Sequence, residues 1–147
     1  MRLSTRGRYA VRAMLDLALH QGEGLVPRAA IARRQGLSPT YIAHLFRRLE
    51  RAGLVEGVKG PGGGYRLRRH PAEISVGEII RVVEGPIALV HCVTPEGQKR
   101  CRRAADCVTR GLWREVSEAL AEMLDRVTLQ DLCARAEERK EASISSM

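Results

Sequence analysis

Three cysteines, Cys92, Cys101 and Cys107, fall within 16 residues, and Cys133 stands apart. Thiolates are nucleophiles and soft metal ligands, so the chemistry on offer is redox or metal binding. The gaps of eight and five residues are neither the C-x2-C pairs of zinc ribbons nor the C-x-x-C of dithiol oxidoreductases. Three thiolates in a glycine- and charge-containing loop that ends at a helix start suit an iron–sulfur cluster. Structural zinc, free redox thiols and inert thiols stay open on spacing alone. Lys99, Arg100, Arg102 and Arg103 and the helix N-terminus favour thiolates electrostatically. His91 directly precedes Cys92 and is kept as a possible ligand. Cys133, on the apolar face of the last predicted helix, reads as a core residue. No Cys-His or Ser-His-Asp pairing is placed in one site, because His20, His44 and His70 are scattered; no enzyme and no small-molecule substrate are expected.

The elements that must position these thiols follow from periodicity. Ser75-Val76-Gly77-Glu78 is a capping-box pattern that predicts a helix over 76–83, ended by Gly85-Pro86. Residues 86–104 read as an irregular loop. A long helix is predicted over 105–126, with Leu112, Val116, Leu120, Met123, Leu124 and Val127 as its apolar stripe. The stripe suits either packing on its own domain or pairing with the same helix of a second copy. The second reading gives a two-fold symmetric dimer and is the one adopted. A short final helix starts near Thr128 with Leu129, Leu132 and Cys133 inward, and the tail from Ala142 is expected to fray.

The first half carries a different chemistry. Residues 1–70 hold 14 Lys and Arg against 4 Asp and Glu, a net of +10, whereas residues 71–147 hold 11 against 13, a net of −2. Such a basic half suits a polyanion; a solvated basic surface has the same composition. Apolar residues at Tyr9, Ala10, Ala13, Met14, Leu17 and Ala18 predict an amphipathic helix over 5–20. A short helix over 28–35 follows, then Gly36 in the C-cap position. Ser38 and Pro39 next open a helix over 39–51, with Ile42, Leu45, Phe46 and Leu49 inward. Helix, tight turn, capped helix is the spacing of a helix-turn-helix. Thr40, Tyr41, Ala43, His44, Arg47 and Arg48 lie off the apolar stripe. Two short alternating runs, Leu54–Lys59 and Tyr65–Arg68, flank Gly60-Pro61-Gly62-Gly63-Gly64, a hairpin with a glycine-rich tip. The tip lacks the Lys-Ser/Thr of a nucleotide-binding loop. Its glycines let backbone amides approach a phosphate, with Lys59, Arg66 and Arg68 supplying charge.

The fold class expected is mainly α with a small β-hairpin wing: a winged helix-turn-helix over 1–84, a cysteine-rich sensor loop over 85–104, and a long dimerisation helix with a C-terminal helix over 105–140. No apolar run approaches 18 residues, so no membrane partner is expected. Aromatic residues at 3% argue against a stacking platform for single strands. Arg2, Arg6, Arg8 and Arg12 are spaced as in a targeting segment, but Asp16 interrupts them and no continuous apolar region follows. The expected location is cytoplasmic, with the thiols reduced.

Five segments resemble the Rrf2 family of bacterial transcriptional regulators: the opening Met1-Arg2-Leu3-Ser4-Thr5-Arg6-Gly7-Arg8-Tyr9-Ala10-Val11, then Leu37–Tyr41, Leu45–Leu49, Gly53-Leu54-Val55, and Gly60–Tyr65. The loop with Cys92, Cys101 and Cys107 before Gly111-Leu112-Trp113 resembles its iron–sulfur members. The resemblance implies a homodimeric winged-helix repressor on a palindromic operator in double-stranded DNA. It further implies a cluster, [2Fe-2S] favoured over [4Fe-4S], held by Cys92, Cys101 and Cys107. The DNA-contact candidates are Arg28, Ser38, Thr40, Tyr41, Ala43, His44, Arg47, Arg48, Lys59, Gly60, Tyr65 and Arg66. Arg110 stands where the cluster-binding members carry a histidine ligand, and an always-protonated arginine cannot replace it. The fourth ligand is then His91, Glu96, Asp106, a partner-subunit residue or a small thiol. The gap from Cys92 to Cys101 is longer than in those members, and Ala43 replaces a glutamate that helps set their sequence preference, so a different operator is expected. The alternatives are a same-fold regulator without a cluster, sensing oxidants through thiols or a protein partner, and a zinc-stabilised interaction module.

Overall fold

A computed structural model of the chain describes residues 2–146. α1 (Thr5–His20) starts where the Ser4 hydroxyl accepts the Gly7 N–H, and it buries Ala10, Ala13, Met14 and Leu17 completely. α2 (Arg28–Gln35) stops at Gly36, whose φ of 66° is the left-handed C-cap geometry that glycine adopts without a Cβ penalty. The chain turns at once into α3 (Pro39–Arg51), capped by the Ser38 hydroxyl accepting from Tyr41 N–H at 3.1 Å. Ile42, Leu45, Phe46 and Leu49 are fully buried, each worth about 1.5–3 kcal/mol relative to exposure. That inward face fixes which residues of α3 look outward.

β1 (Val55–Val58) and β2 (Gly64–Leu67) pair antiparallel with Val55 opposite Leu67 and Gly57 opposite Tyr65. Tyr65 also exchanges two backbone hydrogen bonds of 2.9 Å with Val26, so the wing is stitched to the segment ahead of α2. A Cβ at Gly64 would overlap the Val26 carbonyl, and only glycine allows that approach.

α4 (Val76–Glu84) is capped by Ser75 and leads into the cysteine segment. That segment is not wholly irregular: it holds a 3₁₀ turn at His91–Val93 and the single-turn α5 (Pro95–Gln98). The long helix α6 (Val108–Arg126) starts three residues later than expected, because residues 101–107 form turns and Cys107 is extended at the N-cap. α7 (Leu129–Ser145) opens on a capping box between Thr128 and Asp131 and stays helical through most of the segment expected to fray. Leu129 enters the core of the N-terminal half. Its N–H donates to Ile74 O at 2.9 Å, while Val76 N–H donates to Val127 O at 2.8 Å, which ties the α6–α7 joint to the start of α4. Arg81 and Asp125 add a bidentate ion pair of 2.6 and 2.9 Å between α4 and α6.

The α6 stripe does not pack on its own chain, the first of the two alternatives its period allows. Leu112, Val116, Leu120 and Met123 are 49%, 40%, 40% and 60% exposed. Ser117 is the buried residue of α6; its hydroxyl accepts from Leu89 N–H and donates to Trp113 O. The helix docks on α4 along its narrow side and leaves its apolar face open.

Candidate nucleic-acid interface and cysteine loop

On α3 the outward residues Thr40, His44 and Arg47 are exposed, and Ala43 is half-buried. The wing stands beside the start of this helix. Between them lies an open cleft of about 450 Å³, lined by Arg28, Pro39, Glu50, Lys59, Gly60 and Gly63 among others. Gly60 and Gly62 have φ of 90° and 76°, a backbone that other residues adopt only with strain. Lys59 is exposed at the tip. Glu50 reaches back from α3 to accept the Gly57 N–H at 3.1 Å, holding the wing against the helix. Ser38 serves as the cap described above. A helix N-terminus, exposed hydroxyl and cationic side chains, and a bare backbone tip form the combination that meets phosphates and base edges.

Two candidates, Tyr65 and Arg48, are placed differently from the sequence reading, and a third, Arg66, stands out on the wing with an ion-pair partner. Tyr65 points inward: it is 7% exposed, its ring lies 4.5 Å from that of Phe46, and its hydroxyl accepts from Arg28 Nε at 3.3 Å. It anchors the wing, because strand alternation turns Arg66 out and Tyr65 in. Arg48 is half-buried and donates to Val83 O at 3.0 Å, where Arg6 also donates at 3.3 Å. These two cations satisfy a carbonyl at the C-terminal end of α4, an arrangement the helix dipole favours. Arg66 pairs with Glu56 across the hairpin at 2.8 Å, and the ion pair holds the Glu56 carboxyl below its usual range.

Tyr41 packs edge-on against Tyr9 of α1, with centroids 6.2 Å apart, and the guanidiniums of Arg8 and Arg12 lie 6.0 and 5.4 Å from the Tyr9 ring. The basic face therefore continues onto α1. None of these arginines is among the DNA-contact candidates read from the sequence, although Tyr9 and Arg12 are spaced for one helix face.

The cysteine segment runs from α4 to α6. All four cysteines are free and half-buried. Cys92 lies in the 3₁₀ turn, Cys101 ahead of the turn closed by Ala104 N–H donating to its carbonyl at 3.3 Å, and Cys107 at the N-cap of α6. α5 presses so closely on the 3₁₀ turn that a Cβ at Gly97 would overlap the His91 carbonyl. His91, Glu96 and Asp106 are exposed. Among the described residues no three His, Cys, Asp or Glu side chains stand close enough together to hold a metal ion. The donor set nonetheless has the chemistry of a soft-metal or cluster centre: three free thiols on one segment, flanked by cations.

The surroundings of Cys107 favour its thiolate. The Thr109 hydroxyl, the Arg110 and Thr109 backbone N–H groups and the nearby Arg103 charge all lower its pKa from the ordinary thiol value. Burial and the neighbouring Glu137 push Cys133 the other way. A lowered pKa leaves more thiolate at a given pH, so the reactivity of Cys107 rises at lower pH than that of Cys133. Iodoacetamide at pH 7.5 is expected to alkylate Cys107 several-fold faster than Cys133, read by peptide mass spectrometry of the metal-free chain. Equal rates would contradict this.

A capped second helix of a helix-turn-helix, a glycine-tipped hairpin beside it and a basic face that spans both define a winged-helix DNA-binding protein. The chain belongs to the Rrf2 family: the family profile, described as an iron-dependent transcriptional regulator, matches residues 3–135. The HTH-type transcriptional regulator IscR of Serratia proteamaculans (strain 568) is 46% identical over 132 residues, 90% of this chain and 79% of that protein. The solved structure of T. potens IscR matches with a TM-score of 0.77 at 42% identity, covering 95% of this chain and 90% of that one. CymR, the global cysteine regulator of B. subtilis, matches with a TM-score of 0.74 at 38% identity, covering 92% and 98%. The protein is an IscR-type helix-turn-helix transcriptional regulator, and its relatives are regulators rather than enzymes. No helix among the described residues is long and apolar enough to cross a membrane.

Proposed function

We propose that the protein is a cytoplasmic homodimeric repressor that binds a palindromic operator, and that an iron–sulfur cluster held by Cys92, Cys101 and Cys107 sets its operator affinity. The observation that carries this reading is placement. Three free thiols occupy the one segment that joins α4, which braces the recognition helix, to α6, whose apolar stripe stands open.

Residues 1–84 do the reading. α3 enters a major groove, presenting Thr40, His44 and Arg47 near its N-terminal half, while Lys59 and Gly60 on the wing and Arg28 meet the backbone. Arg8 extends the phosphate-facing surface along α1. Residues 85–104 form the sensor loop, and the helices over 105–140 join two copies and so set the half-site spacing. When bound, a cluster supplies a redox-sensitive centre that requires three deprotonated thiols at one point. Cys107 is already favoured as thiolate, first by the Thr109 hydroxyl and then by the backbone of the first turn of α6. His91, Glu96 and Asp106 are the exposed side chains of this chain available for a fourth position. Drawing the three sulfurs together orders the loop at both ends. One end is the C-terminus of α4, where the Val83 carbonyl holds Arg48 of the recognition helix. The other is the start of the dimer helix. A coupling of about 1–3 kcal/mol between loop and reading heads changes operator affinity roughly 5–150-fold.

Anaerobic purification with iron and sulfide counts tests this, and electron paramagnetic resonance separates [2Fe-2S], the favoured form, from [4Fe-4S]. A Cys101→Ser chain is expected to lose most of the iron and the visible absorbance of the parent. If it reconstitutes as fully as the parent, the assignment is overturned. The lowered Cys107 pKa favours a second reading, a regulator that senses oxidants through the thiol alone. Iron-free protein whose operator binding changes with peroxide is its signature.

A further inference from the structure

We infer that Arg110 is the positioning residue of the cysteine loop: its one side chain holds the Cys92 turn and the turn that follows Cys101 against the first turn of α6, at whose N-cap Cys107 stands. The inference rests on the loop's reading as a cluster site for its purpose, but the contacts belong to the metal-free chain.

The guanidinium donates from Nε to the Cys92 carbonyl at 3.4 Å and from Nη1 to the Ala104 carbonyl at 2.8 Å. Ala104 in turn closes the turn that begins at Cys101, its N–H donating to the Cys101 carbonyl at 3.3 Å. Cys107 itself stands at the N-cap of the helix that carries Arg110, three residues ahead of it, with its sulfur 3.3 Å from the Thr109 hydroxyl. A third side-chain contact comes from α5. With its amide turned so that oxygen rather than nitrogen faces the cations, Gln98 accepts from Arg110 Nη2 at 3.0 Å and from Arg114 Nη2 at 2.9 Å. The opposite orientation would set donors against donors. Arg110 is half-buried, so these bonds are shielded in part from water.

A planar guanidinium is suited to this task because its fork of donors spans separate acceptors in fixed directions, which a lysine ammonium cannot do. The residue is permanently charged, so it gives the loop a framework that does not depend on pH and adds a fixed cation beside groups that must become thiolates. It is not a ligand. It holds the carbonyl of one cysteine and the turn that follows a second beside the helix start where the third stands, and so limits the search the sulfurs make before they meet.

Hydrogen exchange on the full-length metal-free protein tests the contacts directly. The Gln98, Arg100 and Ala104 amides bond within the loop and report its opening. In Arg110→Ala they are expected to exchange at least about tenfold faster, and in Arg110→Lys by an intermediate factor, while amides of α3 keep the parent rate. Cobalt(II) titration of the same proteins, read by the thiolate-to-cobalt charge-transfer band, is expected to show about tenfold weaker binding in Arg110→Ala with partial recovery in Arg110→Lys. Unchanged exchange in Arg110→Ala overturns the assignment. So does faster exchange with unchanged cobalt affinity, because the loop would then be held without its sulfurs being positioned. A parent chain that shows no thiolate–cobalt band and accepts no cluster overturns the cluster reading instead, and the exchange comparison still decides whether Arg110 holds the loop.

Discussion

A chain carrying Val116→Glu together with Met123→Glu is expected to sediment as a monomer at micromolar concentration and to bind a two-half-site operator at least 100-fold more weakly than the parent. Both side chains stand open on α6, 40% and 60% exposed, in one stripe with Leu112 and Leu120. A contiguous apolar stripe of this kind on a small protein marks a contact surface. The same helix carries Glu115, Glu118 and Glu122 beside the stripe. In a two-fold interface each substitution appears twice and faces its own symmetry mate or a near neighbour, so two changes bring four new carboxylates into an apolar seam. Loss of the dimer leaves one reading head on DNA. A 100-fold loss corresponds to about 2.7 kcal/mol, modest for a second set of helix and wing contacts. Neither residue belongs to the core of the reading domain, so the far-ultraviolet circular dichroism and the affinity for an isolated half-site are expected to stay at parental values. A double variant that remains dimeric would show that α6 is covered by something other than a second copy.

The same helix shows where the sequence stopped being readable. Its period announced an apolar face, but periodicity does not say whether a face meets its own chain or another. On α3 the reading succeeded because local chemistry and period agree: Ser38 and Pro39 mark the start, and Ile42, Leu45, Phe46 and Leu49 fill one side. The wing was legible from its glycines. The inward turn of Tyr65 was not, because a four-residue strand alternates without saying which face is covered. Its bridge to Val26 joins residues 39 positions apart. Arg48 lies one position from Leu49, at the border of the buried stripe, and α4 claims it from a distant part of the chain. The cysteines were evident as a set, whereas the single-turn helices between them are too short for a period. The sequence marks Arg110 only as a residue unable to ligate. The carbonyls it holds come from 18 and 6 residues away, and backbone acceptors leave no trace in a side-chain pattern.

Asp16→Ala is expected to lower the melting temperature by about 6–12 °C, the second large effect. Asp16 lies between Ala13 and Leu17 on the buried side of α1, and its residue is only 3% exposed. Arg34 grips it with two bonds of 2.9 and 2.7 Å, Gln35 adds a third at 2.8 Å, and His20 lies 3.6 Å away. Arg12 binds Gln35 as well, through its side chain at 3.1 Å and its carbonyl at 2.9 Å. The C-terminal end of α2, from which the turn into the recognition helix departs, is thus fixed to α1 by a buried carboxylate and an arginine. Removing one partner of a buried ion pair costs about 3–5 kcal/mol. The Arg34 side chain is 33% exposed and regains some water, which places the loss near the lower end, about 3 kcal/mol. At about 2–4 °C per kcal/mol for a chain of this size, that gives the shift stated. Asp16→Asn separates charge from shape. It keeps the volume and one acceptor but turns an amide donor toward the guanidinium, so it is expected to cost at least half of the alanine effect. Calorimetry of the three proteins at one pH decides the matter. A shift below about 2 °C for Asp16→Ala would mean that the α1–α2 junction stands on its apolar contacts alone, and an asparagine variant as stable as the parent would mean that packing rather than the ion pair holds it.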